Sequence, residues 1–151
     1  MIEHIPYRPE HAKEIIAHGA IGIGEVTAEQ IELCSNVKLN GVAFTTICDG
    51  RVVACAGIEA YESSASNSCK DIGQAWVLCV NDIGKIHMNP QDNRAKFFEI
   101  AKPFRRVHAP MKPDFLPGLK FAEYMGFHYE STLKKCNPDG SDALIYVLGD
   151  I

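Results

Sequence analysis

No stretch of this 151-residue sequence is long and apolar enough to span a bilayer. The longest apolar runs, Val52 to Ile58 and Ala75 to Val80, fall far short of the roughly 20 residues a spanning helix needs. The opening Met-Ile-Glu-His-Ile-Pro has no basic region followed by an apolar one, so no signal peptide is expected and a cytoplasmic location is. An excess of positive charge is missing too: 15 Lys and Arg stand against 19 Asp and Glu, a net charge of -4. A general binder of phosphate backbones needs a basic face, so no nucleic-acid partner is expected. Repeats, low-complexity tracts and linkers are absent, and the length fits one domain. No two of the six cysteines form a C-x-x-C pair, which removes zinc ribbons and thioredoxin-type motifs.

The material of a core is there. Hydrophobic residues make up 46% of the chain and charged residues 23%, a balance that excludes disorder. Cys48, Cys55 and Cys79 sit among apolar neighbours and are expected to be reduced core residues. His11 and His18 can share a helix face, but no third ligand accompanies them. Surface or capping roles are therefore expected, and no metal site.

Local signals divide the chain. Ile2 to Tyr7 reads as a strand stopped by Pro6 and Pro9. Pro9 also suits the first turn of a helix from Glu10 to Ala17, which Gly19 ends. Gly22 and Gly24 form a lone G-x-G, better read as a loop than as a nucleotide fingerprint. Thr27 is a good N-cap for a second helix, with Gln30 at the reciprocal position. Asp49-Gly50 between the β-prone runs Val42 to Cys48 and Arg51 to Ile58 predicts a tight hairpin. Tyr61 to Lys70 is Ser-rich and polar, a loop. Ile72 to Val80 is a third strand, so apolar over Ala75 to Val80 that cover on both faces is expected.

Asn89-Pro90 then reads as a cap and first residue of a helix, Gln91 to Lys102. Ala95, Phe98 and Ala101 give its apolar stripe, widened by Phe97 and Ile100. Arg105 to Ala109 is a strand ending at Pro110. Leu116 to Met125 is a helix, with Gly126 as a left-handed C-cap. Tyr129 to Lys135 and Ala143 to Leu148 form a last hairpin around Asn137-Pro138-Asp139-Gly140. The order is β-α-α-β-β-β-α-β-α-β-β. A helix crossing between Ile72–Val80 and Arg105–Ala109 implies a parallel pair in a mixed sheet. The expected architecture is one α/β domain with helices on both faces of that sheet.

This order resembles the GNAT superfamily of N-acetyltransferases. Arg105-Arg106-Val107-His108-Ala109 looks like the family's fifth strand. Leu119-Lys120-Phe121-Ala122-Glu123-Tyr124-Met125-Gly126-Phe127 looks like its fourth helix with the Gly-Phe that ends it. Lys134 to Tyr146 looks like the closing hairpin, and Gly73 to Leu78 is similar to the fourth strand of short GNAT-like proteins of tailed phages, some of them internal virion proteins. The resemblance implies acetyl-CoA as cofactor and an amine of a small molecule or protein as acceptor. It implies contacts to the cofactor from Leu78, Val80 and the backbone of Asn89, Gln91 and Asn93, with Lys85 or Arg94 pairing phosphates at a helix N-terminus. Glu59 is the candidate general base, and His108 is a second candidate near the expected cleft. For each residue an ordinary structural role is the alternative, and the cluster Lys102, Arg105, Arg106 and His108 is either a basic patch or a helix-end charge group.

The sequence also departs from the family pattern. Asn81 to Pro90 holds one glycine where the family has a glycine-rich turn, and Pro90 removes an N–H donor. The family's helix Tyr falls on Ala122, the Asn before it on Phe115, and Gln74 stands where an ionisable base would be useful. Two classes of function follow. One is an acetyl-CoA-dependent N-acetyltransferase. The other is a catalytically reduced GNAT-fold protein that acts by binding, such as a phage virion or host-interaction component, located in the host cytoplasm or virion.

Overall fold

The computed structural model describes residues 1–20, 41–61, 69–86 and 89–149. The lone G-x-G, the helix expected from Thr27 and most of the Tyr61–Lys70 loop lie outside the described residues. Among those described, the order is β1 (Ile2–Pro6), α1 (Pro9–His18), β2 (Gly41–Cys48), β3 (Arg51–Tyr61), β4 (Cys69–Cys79), a 3-10 turn (Ile83–Lys85), α2 (Pro90–Ala101), β5 (Arg106–Met111), α3 (Leu116–Tyr124), β6 (Phe127–Leu133) and β7 (Ala143–Leu148). The strands form one mixed sheet in the order β1-β2-β3-β4-β5-β7-β6. Strands β4 and β5 run parallel, through Ile72↔Arg106, Gly73↔Val107 and Gln74↔His108, as a helical crossover requires. Among the described residues the fold is α/β, a seven-stranded sheet with three helices.

By its contacts the chain forms two compact units, Met1–Glu59 with Trp76–Ile100, and Ala60–Ala75 with Ala101–Ile151. In the first, the turn between β2 and β3 has Asp49 at φ 50° and Gly50 at φ 81°. Positive φ at both central residues is the turn whose twist matches paired strands, and Asp-Gly is the pair that tolerates it. The core of this unit gathers Ala12, Ile15 and Ile16 of α1 with Val52, Val53 and Cys55 of β3 and Leu78 and Val80 at the end of β4. The apolar spacing of α1 buries His11 as well, while His18 in the last turn is exposed, so the two histidines do not share a buried face.

Strand β4 corrects one expectation. Leu78 and Val80 are buried, but Val77, just before them, is 49% exposed. The side chains alternate, and this end of the strand is covered on one face only. Helix α2 corrects another: Ala95 is exposed and Phe98 half-buried, while Phe97 and Ala101 carry the buried line, one helical turn apart. Asn89 is the cap that was expected, its Oδ1 accepting the Gln91 N–H at 3.0 Å.

The second unit packs Phe104, Val107, Ala109, Ala122, Met125, Phe127, Ala143, Tyr146 and Leu148. Helix α3 closes as its sequence foretold, with Gly126 at φ 98° and its N–H bonded to Glu123 O at 3.0 Å. Strand β5 continues through Pro110 to Met111 instead of stopping before the proline. Pro110 lies past the last parallel rung, where β5 pairs with β7 through Pro110↔Ile145. Proline is tolerated there because only one side of the strand demands N–H donors. The last hairpin turns at Asn137–Gly140, where Gly140 has φ 82° and its N–H reaches Asn137 O at 2.9 Å.

Candidate functional site

In the first unit the end of β4, the connector after it and the start of α2 carry every residue expected at a cofactor. The segment is tightly committed to internal bonds. Val80 N–H donates to Val53 O at 3.0 Å, and Asn81 N–H donates to Gly19 O at 3.0 Å. Ala20 bridges Val80 in antiparallel sense. Successive N–H groups of a strand point to opposite edges, so this end of β4 has backbone partners on both. The side chain of Val80 is fully buried and Leu78 nearly so. These two residues build the core, and the Val80 backbone N–H is already paired.

The connector is folded on itself in the same way. Ile83, Lys85 and Ile86 donate their N–H groups to Val80 O, Asp82 O and Ile83 O at 3.1, 2.9 and 3.2 Å. At the start of α2, Pro90 has no N–H, Gln91 N–H is held by Asn89 Oδ1, and Asp92 N–H bonds to Asn89 O at 3.2 Å. A helix N-terminus attracts anions through its orphan donors. Here Pro90 offers none, the Gln91 and Asp92 donors are used, and the Asp92 carboxylate stands in the first turn.

Cationic side chains stand on the connector and on α2. Lys85 is exposed and lines an open depression of about 300 Å³ together with Cys48, Asp49, Arg51, Val53 and Ile86. Arg51 binds Asp82 through both guanidinium nitrogens at 3.0 Å. The pair holds the Asp82 carboxyl below its usual range, so that carboxylate is matched and Lys85 adds net positive charge. Further along α2, the Arg94 guanidinium lies 5.2 Å from the Phe98 ring centroid. Asn93 Oδ1 accepts from Thr46 on β2 at 3.3 Å, so its side chain anchors the helix.

The two candidate proton carriers fall in different units. Glu59 lies near the end of β3, paired with Gly41 in register and half-buried. His108 lies on β5 in the second unit, on the rung shared with Gln74 of β4 and Val147 of β7. His128 of β6 pairs with the same Val147, so these side chains form a transverse row. Burial, with help from the Arg106 cation, pushes the His108 imidazole below its ordinary value, while Glu130 opposes. Its ring is therefore neutral near pH 7 and carries a lone pair. Arg106 is fixed by Glu130 through two bonds of 2.8 Å. Arg105 pairs with Asp71 at 2.6 Å. Neither arginine belongs to a helix-end charge group or an unmatched basic patch, because each is neutralised by a carboxylate from another stretch of chain. Sequence reasoning missed these pairs, which have no local signal.

The cysteines complete the inventory. Cys55 is fully buried and burial pushes its thiol up to about 11, whereas Cys136 is exposed and is no core residue. No group of three or more His, Cys, Asp or Glu among the described residues is arranged to hold a metal ion. No helix among them is long and apolar enough to cross a membrane.

No family model and no curated protein sequence matches this chain. Solved structures do. A GNAT-family acetyltransferase from Streptococcus pneumoniae aligns over 99% of this chain and 100% of its own, with TM-score 0.67 and 12% identity. The chain has the GNAT fold. An N-acetyltransferase from Staphylococcus aureus Mu50 aligns over 98% of both chains with TM-score 0.73 and 13% identity. The ribosomal L7/L12 α-N-protein acetyltransferase RimL, determined with coenzyme A, aligns over 97% of this chain and 92% of its own, with TM-score 0.71 and 12% identity. At these identities the likeness establishes the GNAT fold and leaves chemistry to the residues.

Proposed function

We propose that this GNAT-fold chain is an N-acyltransferase that takes an acetyl group from acetyl-CoA and places it on an amine of a small molecule or protein. The observation that carries the reading is the fold likeness, which spans nearly the whole of both chains. Acetyl-CoA, when bound, supplies an acetyl group activated as a thioester. Lys85 and Arg94 are the side chains assigned to its phosphates, because the backbone donors of the α2 start are spent. Leu78 is retained as the strand-end contact, whereas Val80, Asn89, Gln91 and Asn93 serve the fold. His108 is the residue assigned to accept the amine proton, since its neutral ring needs no prior deprotonation. Glu59 is the second candidate for that role.

A second reading is favoured by a specific observation. The committed N–H groups at Gln91 and Asp92, and the double pairing of the β4 end, are what a chain would show after keeping the fold and giving up the cofactor. Such a chain acts by binding, for example as a phage virion or host-interaction component, as the resemblance implies. Titration calorimetry with acetyl-CoA and CoA separates the two. Saturable binding, weakened by Lys85→Gln and Arg94→Gln, followed by turnover on an amine panel that His108→Gln slows, upholds acyl transfer. No binding at millimolar ligand, in protein that melts cooperatively, overturns it in favour of the second reading.

A further inference from the structure

Thr45 and Thr46 are neighbours on β2, and both are buried, at 0% and 2% exposure. Successive strand residues face opposite sides of a sheet, and each hydroxyl meets one histidine. His11, in the first turn of α1, receives the Arg8 N–H at Nδ1 at 3.1 Å. Its Nδ1 also lies 2.7 Å from Thr45 Oγ1. A ring nitrogen that accepts a backbone N–H carries no proton. Thr45 must therefore donate to it as well, and the neutral ring keeps its proton on Nε2. Thr45 Oγ1 is left to accept from the Cys55 thiol, 3.4 Å away.

The other side has the opposite polarity. Thr46 donates to Asn93 Oδ1 of α2 at 3.3 Å, so its oxygen is free to accept. His4 Nδ1, 3.1 Å from that oxygen, is then the donor. The lone pair of His4 falls on Nε2, which is buried and bonded to no described residue.

We infer that β2 carries a two-sided acid latch, in which Thr45 and Thr46 hold His11 and His4 in opposite neutral tautomers and acid releases the first turn of α1 and the anchor of α2. Protonated His11 gains an N–H at Nδ1 that faces two other donors, so the Arg8 bond is lost. Protonated His4 gains an N–H at Nε2 in a buried place with no acceptor among the described residues. The charged groups around His11 are Arg8, Glu10 and Glu14, with Cys55 on β3 and the Tyr7 ring edge-on at 6.5 Å. Around His4 they are Lys96 and Asp92 of α2, with the Phe44 ring edge-on at 5.4 Å.

Burial is the leading cause that lowers both imidazoles below their ordinary value. Arg8 and Lys96 act in the same direction, while Glu10, Glu14 and Asp92 oppose. Both rings titrate lower folded than unfolded, so the unfolded chain binds more protons as pH falls below about 6.5. The stabilisation is complete above that pH and is lost below it. The latch is independent of acyl transfer.

Long-range 1H–15N spectra of labelled protein at pH 7.5 read the two tautomers directly. The expected result is Nδ1–H for His4 and Nε2–H for His11. Hydrogen exchange, corrected for intrinsic rates, is expected to show the His11 amide losing at least tenfold protection between pH 7 and 5. The α3 amides of Leu119 and Met125, bonded to Phe115 O and Phe121 O, serve as the control and hold theirs. His11→Gln, whose amide oxygen can accept in place of Nδ1, is expected to abolish the pH dependence. Should that variant fail to fold, the tautomers of the unaltered chain decide. One shared tautomer, or α1 and α3 losing protection together, overturns the latch.

Discussion

Replacing Asn89 with alanine removes the acceptor that holds the Gln91 N–H at 3.0 Å at the start of α2. The site is exposed, so nothing is lost but the cap itself. Exchanging an Asn cap for Ala costs about 1 kcal/mol. For a chain of this length that corresponds to a fall in Tm of about 2–4 °C. Asp92→Asn is the companion. It removes a carboxylate that favours a helix N-terminus and that repels any phosphate brought to Lys85 or Arg94. Its two effects therefore have opposite signs: Tm falls slightly and CoA affinity rises, more so at low ionic strength. Differential scanning calorimetry and titration with CoA at two salt concentrations read both. With phosphates held by side-chain charge, Asn89→Ala leaves CoA affinity within about twofold, an energy difference below 0.5 kcal/mol by the usual affinity arithmetic. An unchanged Tm in Asn89→Ala refutes the cap. A loss of affinity of tenfold or more in that variant refutes the side-chain assignment and returns the ligand to the helix end.

Three further outcomes follow from the packing and the titrating groups. A Cβ at Gly57 would stand 2.6 Å from both the Val42 carbonyl oxygen and the Ala43 Cβ, so Gly57→Ala is expected to cost about 1–3 kcal/mol in urea unfolding; an unchanged midpoint refutes the close approach of β2 and β3. A thiol-reactive label followed by peptide mass spectrometry is expected to modify Cys136 within minutes and Cys55 only on unfolding, since the Cys55 thiol is buried and titrates at about 11. Equal labelling rates would contradict the burial. Removing the Arg106 cation with Arg106→Gln is expected to raise the His108 titration followed by NMR, because that charge now lowers it. If His108 accepts the amine proton, the pH at which activity rises moves up with it.

Local features were legible because their causes lie within a few residues. Asp49-Gly50 announces its turn by the backbone it tolerates, Asn89-Pro90 by the donors at a helix start, and Gly126 by the left-handed cap. The crossover rule turned the helix between two strands into a parallel pair, and β4 and β5 are that pair. The cofactor candidates were legible as a segment, but the partners that hold the Val80 and Asn81 N–H groups were not. Those partners, Val53 and Gly19, lie far away along the chain.

The sequence by itself determined the order of the described elements and the turns and caps that bound several of them, because propensity, capping and turn chemistry act over short distances. It also set 15 cations against 19 anions, a balance that argues against a general binder of phosphate backbones. Tertiary structure alone decided which polar groups are spent. It set Val77 outward beside the buried Leu78, tied Arg106 to Glu130, and closed both edges of the β4 end. It also placed His4 and His11 on consecutive threonines some forty residues away. Such pairings depend on sheet register, which is fixed by burying one face of each strand and leaves no mark in the local sequence.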